Sequence, residues 1–437
     1  MKKENLQSLD DRQTYMLEQL KKISFTGLED LQIDHLLFNT TWLSIQMKTF
    51  SVIRAVVKRL FANSFYINNR NISGKDLLLI SYDYKRKDHT ISWNTVKSMF
   101  DDYDELKIGE LSFSAKSVLP VSEILDSVSL WKEYVSKMKN VGTIIERCVL
   151  SAYLVELKRM QDMLNKIEFN NKVGLLYFDG GSYENLIVQC LKRRNVTMIT
   201  MQHGQPVFHG ENVDRINQNM ILNLTSDYII VTGEFSKKQF EKAGIPNDKV
   251  VVLGSWREIE PYSESTSNIF SVFFDCPTLE GAFESNCQMI KMAEEIANKF
   301  AETYYIKLHP QDNSDRYSKV RIKRGKIVST NNTLQDIINQ SKYCILHASG
   351  VYLDIIAKGK KVYCLQNEID FPLVENEMDL FTSDDELCDK IINWNNRSLD
   401  NQKEYMKDLV GNYLSPDNCL NRHRKFIKQK IAEKNEM

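Results

Sequence analysis

The segments VGLLYFDGG (173–181), SYENLIVQCLKRRN (182–195) and VTMITMQHG (196–204) follow one another without a gap. The first and third are apolar runs, each closed by glycine. The middle one carries apolar residues at three- and four-residue steps, with a serine where a helix N-cap is expected. An apolar run, an amphipathic helix and a second apolar run make a βαβ unit. Parallel strands need such a helical crossover and are covered on both faces, so neither run alternates with polar residues.

The cycle repeats. SDYIIVTGE (226–234), FSKKQFEKAG (235–244) and DKVVVLGSW (248–256) read as strand, helix and strand. REIEPYSESTSN (257–268) has no period and is the interdomain linker. Alternation resumes with strands at 269–276, 303–310, 326–330, 342–350 and 360–366, and helices at 284–300, 333–341 and 351–359. Upstream, 33–65 reads as an amphipathic helix or helix pair, 75–84 as a buried strand and 142–167 as a long helix. The expectation is α/β: two facing doubly wound Rossmann-like domains, 1–257 with extra N-terminal helices and 258–437 ending in a basic helix at 418–434.

A chain of 437 residues is too long for one ordinary core. A net charge of -1 gives no reason to expect nucleic acid as partner. The eight cysteines show no C-x-x-C spacing and mostly sit in apolar surroundings, as small reduced hydrophobes do. No apolar run approaches the ~20 residues that span a bilayer, and the first twenty residues lack the apolar core of a signal peptide. The expected location is cytoplasmic. Arg422, Arg424, Lys425, Lys428 and Lys430 make the tail a candidate for the anionic inner face of the plasma membrane. The spacing of His203, His209, His309 and His347 fits no zinc signature. The Asp-x-Asp of DDYDE (101–105) follows no buried strand and reads as a solvated acidic turn. Neither metal nor cofactor is expected.

In open α/β sheets, ligands bind beyond the carboxyl ends of the strands. Four polar groups fall there: Asp179-Gly180-Gly181, Gln202-His203-Gly204, Lys307-Leu308-His309-Pro310 and His347-Ala348-Ser349-Gly350. Ser349 and Gly350 open the helix expected at 351–359, whose free N–H groups suit a phosphate. Lys307 and His309 can add charge and donors to that anion. Asp354, one turn on, can reach a ribose hydroxyl.

QHG (202–204), GSWRE (254–258), KLHP (307–310), SGVYLD (349–354) and GKKVYCLQ (359–366), in that order, resemble motifs of GT-B-type transferases that build bacterial surface polysaccharides. The similarity is to CDP-glycerol glycerophosphotransferases (teichoic acid polymerases) and related capsule glycosyltransferases. Gly254, Arg257 and Ser349 carry over, and the His-Pro element also resembles that of bacterial sialyltransferases. The resemblance implies a metal-independent glycosyltransferase. A UDP-, CDP- or CMP-linked sugar would sit on the second domain, and the acceptor would be a glycan or lipid-linked glycan. Arg257 would neutralise phosphate. His203, from the facing domain, would be the general base or would orient the acceptor, with Asp179 and Glu184 as carboxylate alternatives. Gln202, Gly204 and His209 would lie on the acceptor side. Three other readings stay open: a CDP-glycerol-type polyol-phosphate transferase, a sugar-nucleotide epimerase needing several carboxylates, or a non-catalytic nucleotide-sugar-binding partner of a synthase complex.

Overall fold

The computed structural model describes residues 9–436 apart from 83–86, 112–113, 115–116, 203, 205, 207–222, 256, 278–280, 329–331, 367–373 and 375. Two sheets organise the chain. The first holds β1 (Phe65–Asn71), β2 (Leu77–Tyr82), β3 (Asp104–Glu110), β4 (Val173–Leu176), β5 (Thr197–Met201), β6 (Tyr228–Val231) and β7 (Val250–Val252). Their order is β1-β3-β2-β4-β5-β6-β7, parallel except for β1, which runs antiparallel to β3. The second holds β8 (Ile269–Phe273), β9 (Thr303–Lys307), β10 (Gly325–Ile327), β11 (Tyr343–Leu346), β12 (Lys361–Leu365) and β13 (Leu380–Phe381). All are parallel, in the order β10-β9-β8-β11-β12-β13. This is the two-unit, doubly wound α/β architecture expected from the sequence.

Strand alternation divides each sheet between two cores. In β2, Leu78 and Ile80 join the N-terminal helices, while Leu77 and Leu79 face Trp93, Tyr177 and Ile427. Of the N-terminal helices, Phe38–Gln46 and Thr49–Phe61 pack on the long helix Ile144–Asn165, while Leu9–Leu20 packs on Phe38–Gln46 and Ile33–Leu36 on the helix Ser182–Lys192. That helix starts with a capping box between Thr143 and Glu146.

Several elements depart from the sequence reading. The acidic stretch 101–105 is solvated only in its first part. Asp104 opens β3 fully buried, accepting the backbone N–H groups of Ser73, Gly74 and Lys75 and the amide of Asn171. Ser182 does not cap its helix; the cap residue is Gly181, with no side-chain bond. The helix expected at 351–359 is the short segment Tyr352–Ala357.

The linker divides the sheets, and the last helix, Cys419–Glu436, lies with the first of them. Its Ile427 joins the core under β2 and β4, and Phe426 meets Tyr228 edge to face at 5.6 Å. The tail cations are mostly engaged there. Arg422 donates to the Ser415 carbonyl, Arg424 to the Met99 carbonyl, and Lys430 to the Tyr228 hydroxyl.

Candidate functional site

Each sheet has a switch point where strand order reverses: between β8 and β11 in the second, between β2 and β4 in the first. A crevice opens at the carboxyl edge of such a point. At the second sheet's switch point, Asp275 follows β8 and His347 follows β11. The Asp275 carboxylate meets His347 Nδ1 at 2.6 Å and accepts the Ala348 N–H at 2.8 Å. Both side chains are buried. Asp275 therefore locks the turn Ala348-Ser349-Gly350 to the adjoining strand end. The sequence reading passed over Asp275. Its signal was the same as for the chosen residues, a polar group closing the apolar run IFSVFFDC (269–276).

Behind it, Asn286 accepts the Asp275 N–H at 3.1 Å and donates to the Tyr317 hydroxyl at 2.9 Å. Tyr317 in turn donates to Asp312 at 2.6 Å. This relay fixes the loop after β9, where Lys307 and His309 sit half-buried. Lys307 donates to the Asn332 carbonyl at 3.1 Å, and burial lowers its pKa. His309 Nδ1 accepts the Gln311 N–H at 3.2 Å, so the neutral ring carries its proton on Nε2. Ser349 is buried; a side chain added at Gly350 would meet open space. The six-residue helix beyond them offers little dipole.

Arg257 and Asp354, both expected at the nucleotide, meet each other. Arg257 Nε donates to Asp354 at 2.9 Å. The pair joins the chain leaving the first sheet to the short helix of the second unit. Nearby, the Ser255 N–H donates to the Leu414 carbonyl at 2.7 Å, and Phe235 stacks on Tyr413 at 4.4 Å.

On the first sheet, Gln202 is buried at the end of β5. It accepts the Thr232 N–H at 2.9 Å and donates to the Gly204 carbonyl at 2.6 Å. Gly204 has φ 71, a left-handed conformation that a side chain would disfavour. His203 and His209 lie outside the described residues. Asp179 is fully buried. It accepts the N–H groups of Thr225 and Ser226 at 3.0 and 2.9 Å and the Ser226 hydroxyl at 2.8 Å, pinning the entry to β6. Burial raises its pKa despite these bonds. Glu184 lies in the first turn of the helix Ser182–Lys192, its carboxylate folded over Gly181. It is half-buried, and desolvation, helped by the charges of Asp179 and Glu110, pushes its pKa up to about 7.

Glu110 is a residue that sequence reasoning missed. It ends β3 at the same edge and accepts the Tyr82 hydroxyl at 3.1 Å. The strand DELKIGE hides it, because its charged residues leave no apolar run to read. Among the described residues, no three His, Cys, Asp or Glu side chains gather as a metal site requires.

No family model matches this sequence, and no curated protein is similar to it at the level of sequence. Solved structures are similar in fold. The UDP complex of MnaA from S. aureus superimposes with a TM-score of 0.50 at 9% identity, covering 80% of this chain and 95% of that one. The UDP-GlcNAc 2-epimerase of Methanocaldococcus jannaschii, in complex with UDP-GlcNAc and UDP, gives 0.50 at 12% identity, covering 81% and 99%. The wall teichoic acid polymerase TagF, soaked with CDPG, covers 90% and 100% at 11% identity, with a TM-score of 0.42 that adds no weight. With its two doubly wound, mostly parallel sheets and this likeness, the chain has the GT-B fold.

Proposed function

We propose that the protein is an enzyme that uses a nucleotide-activated sugar and transfers the sugar to a glycan or lipid-linked acceptor. The observation that carries this reading is the second sheet's switch point. There the Asp275–His347 pair fixes Ser349 and Gly350 after β11, and on the other side of β8 the end of β9 bears Lys307 and His309 at the same carboxyl edge. Cationic, donor-rich strand ends suit a diphosphate leaving group, whose developing charge is what such a transfer must stabilise. The fold likeness to a UDP complex and a UDP-GlcNAc complex supports the same ligand class. On the facing unit, Glu184 or His203 removes the acceptor proton; a group titrating near neutrality suits that task.

A second reading, a sugar-nucleotide epimerase, draws on the carboxylates Glu110, Glu184 and Asp179 at the first sheet's edge. Incubation with UDP-GlcNAc alone separates the two. An epimer seen by NMR without acceptor favours the second; product only with acceptor favours the first.

The ligand test is thermal shift with UDP, CDP, CMP and GDP, since a bound nucleotide stabilises the fold by mass action. His309→Ala and Ser349→Ala should each weaken the nucleotide that binds by roughly 1.5–3 kcal/mol, the worth of a charge-assisted hydrogen bond. Both should melt like the parent protein in its absence. Unchanged affinity in both variants rejects the assignment.

A further inference from the structure

The helix Thr49–Phe61 is apolar on two opposite faces. Val52 and Ala55 are buried against the protein. Phe50, Ile53 and Val57, at steps of three and four residues, form a second stripe that is 79%, 56% and 42% exposed. A soluble helix normally turns charges outward, so an exposed stripe of this kind marks a contact surface. The helix ends at Phe61, whose carbonyl accepts the Leu119 N–H at 2.9 Å, and Ala62 forms an isolated bridge with Val118. From there Val118, Val121 and Leu125 add 49%, 73% and 64% exposed apolar side chains on the neighbouring segment, which also carries the exposed carboxylates Glu123 and Asp126 and so lies at the margin of the cationic face.

Charge identifies the occupant. Between Asp34 and Asp76 the sequence has no Asp or Glu, but it has Lys48, Arg54, Lys58, Arg59, Arg70 and Lys75. Arg59 is turned inward to Glu156 at 3.1 Å and Lys75 pairs with Asp102 at 2.9 Å. Lys48, Arg54 and Lys58 pair with no carboxylate among the described residues. An apolar stripe flanked by cations matches a bilayer interface, where apolar side chains enter the acyl boundary and cations meet anionic headgroups. The helix also leads straight into Phe65. That residue opens β1 opposite Glu110 at the carboxyl edge of the first sheet, its ring 6.1 Å from that of Tyr183.

We propose that this helix face docks the protein on an anionic membrane surface, bringing the bilayer beside the first unit's acceptor edge. The docking itself does not depend on the proposed sugar transfer. The test is sedimentation of the full chain with vesicles of phosphatidylglycerol and phosphatidylcholine, or of phosphatidylcholine alone. The full chain should pellet with the anionic vesicles, and added salt should release it. The triple variant F50S/I53S/V57S and the variant R54E/K58E should each bind at least tenfold more weakly with unchanged melting temperature. K425Q/K428Q, which removes exposed cations of the last helix, should bind as the parent does. Failure of the full chain to bind anionic vesicles overturns the proposal, as does equal binding by both helix variants. A concentration-dependent dimer that the triple variant abolishes, without vesicle binding, assigns the face to a second copy of the chain instead.

Discussion

Glu184 shows how a residue's place decides its chemistry. Its carboxyl holds a proton up to about pH 7 in the folded chain because burial opposes its charge. In the unfolded chain it ionises near the usual carboxylate value. Between those two values the folded state binds the extra proton, so stability falls as pH rises through that window. Glu184→Gln should therefore raise the melting temperature more at pH 8 than at pH 4.5, read by calorimetry at both. If Glu184 is the acceptor's base, the same variant also loses the rise of turnover with pH around 7. A variant whose pH profile keeps that rise moves the role to His203. His203→Ala should then lose turnover by roughly 10²–10⁴, the range for a positioned base, with nucleotide affinity nearly unchanged. The QHG signal was legible because glycine after a strand-end polar residue has a conformational reason, realised here by the positive φ of Gly204. Glu184 was legible only as a candidate, since its raised pKa comes first from its burial in the folded chain and then from the charges of Asp179 and Glu110 brought near it.

Elements with continuous apolar runs, such as β4, β5, β8, β11 and β12, were readable because both their faces are covered. β1 and β3, with sequences FYINNRN and DELKIGE, were not; β3 is held by β2 on one side and β1 on the other, and β1 is the sheet's edge. The start of β12 shows a further feature that sequence pattern does not disclose. Lys361, inside an apolar strand, is buried and ion-paired with Asp379, which also accepts the Tyr405 hydroxyl at 2.6 Å. Its ammonium lies 5.1, 4.7 and 4.6 Å from the ring centres of Tyr363, Trp394 and Tyr405. Burial pulls the lysine pKa well below its usual value. Removing one partner of a buried pair strands the other. Lys361→Met should cost about 3–5 kcal/mol in urea unfolding, and Lys361→Met with Asp379→Leu should recover most of it. A double variant no more stable than the single one would show that the pair is not the source of the cost.

Across the whole molecule, the two units are joined by the linker, the Arg257–Asp354 pair and the return of the last helix to the first sheet. Arg257→Ala should speed proteolytic cleavage within 257–268, with a melting temperature close to the parent's, because a half-exposed pair adds little to global stability. Unchanged cleavage would leave the restraint to the Phe235–Tyr413 stack and the Leu414 carbonyl. The sequence by itself determined the alternation of strands and helices, and hence two doubly wound units with polar residues at their strand ends. Those signals are local, carried by hydrophobic period and by glycine. Only the tertiary structure decided which strand ends adjoin. It brought Asp275 to His347 across a separation of 72 residues and turned Arg257 onto Asp354. It also carried the last helix back to the first sheet and left Phe50, Ile53 and Val57 facing outward. These depend on sheet order and on which face of a helix finds a partner, and neither is written in the period of a single segment.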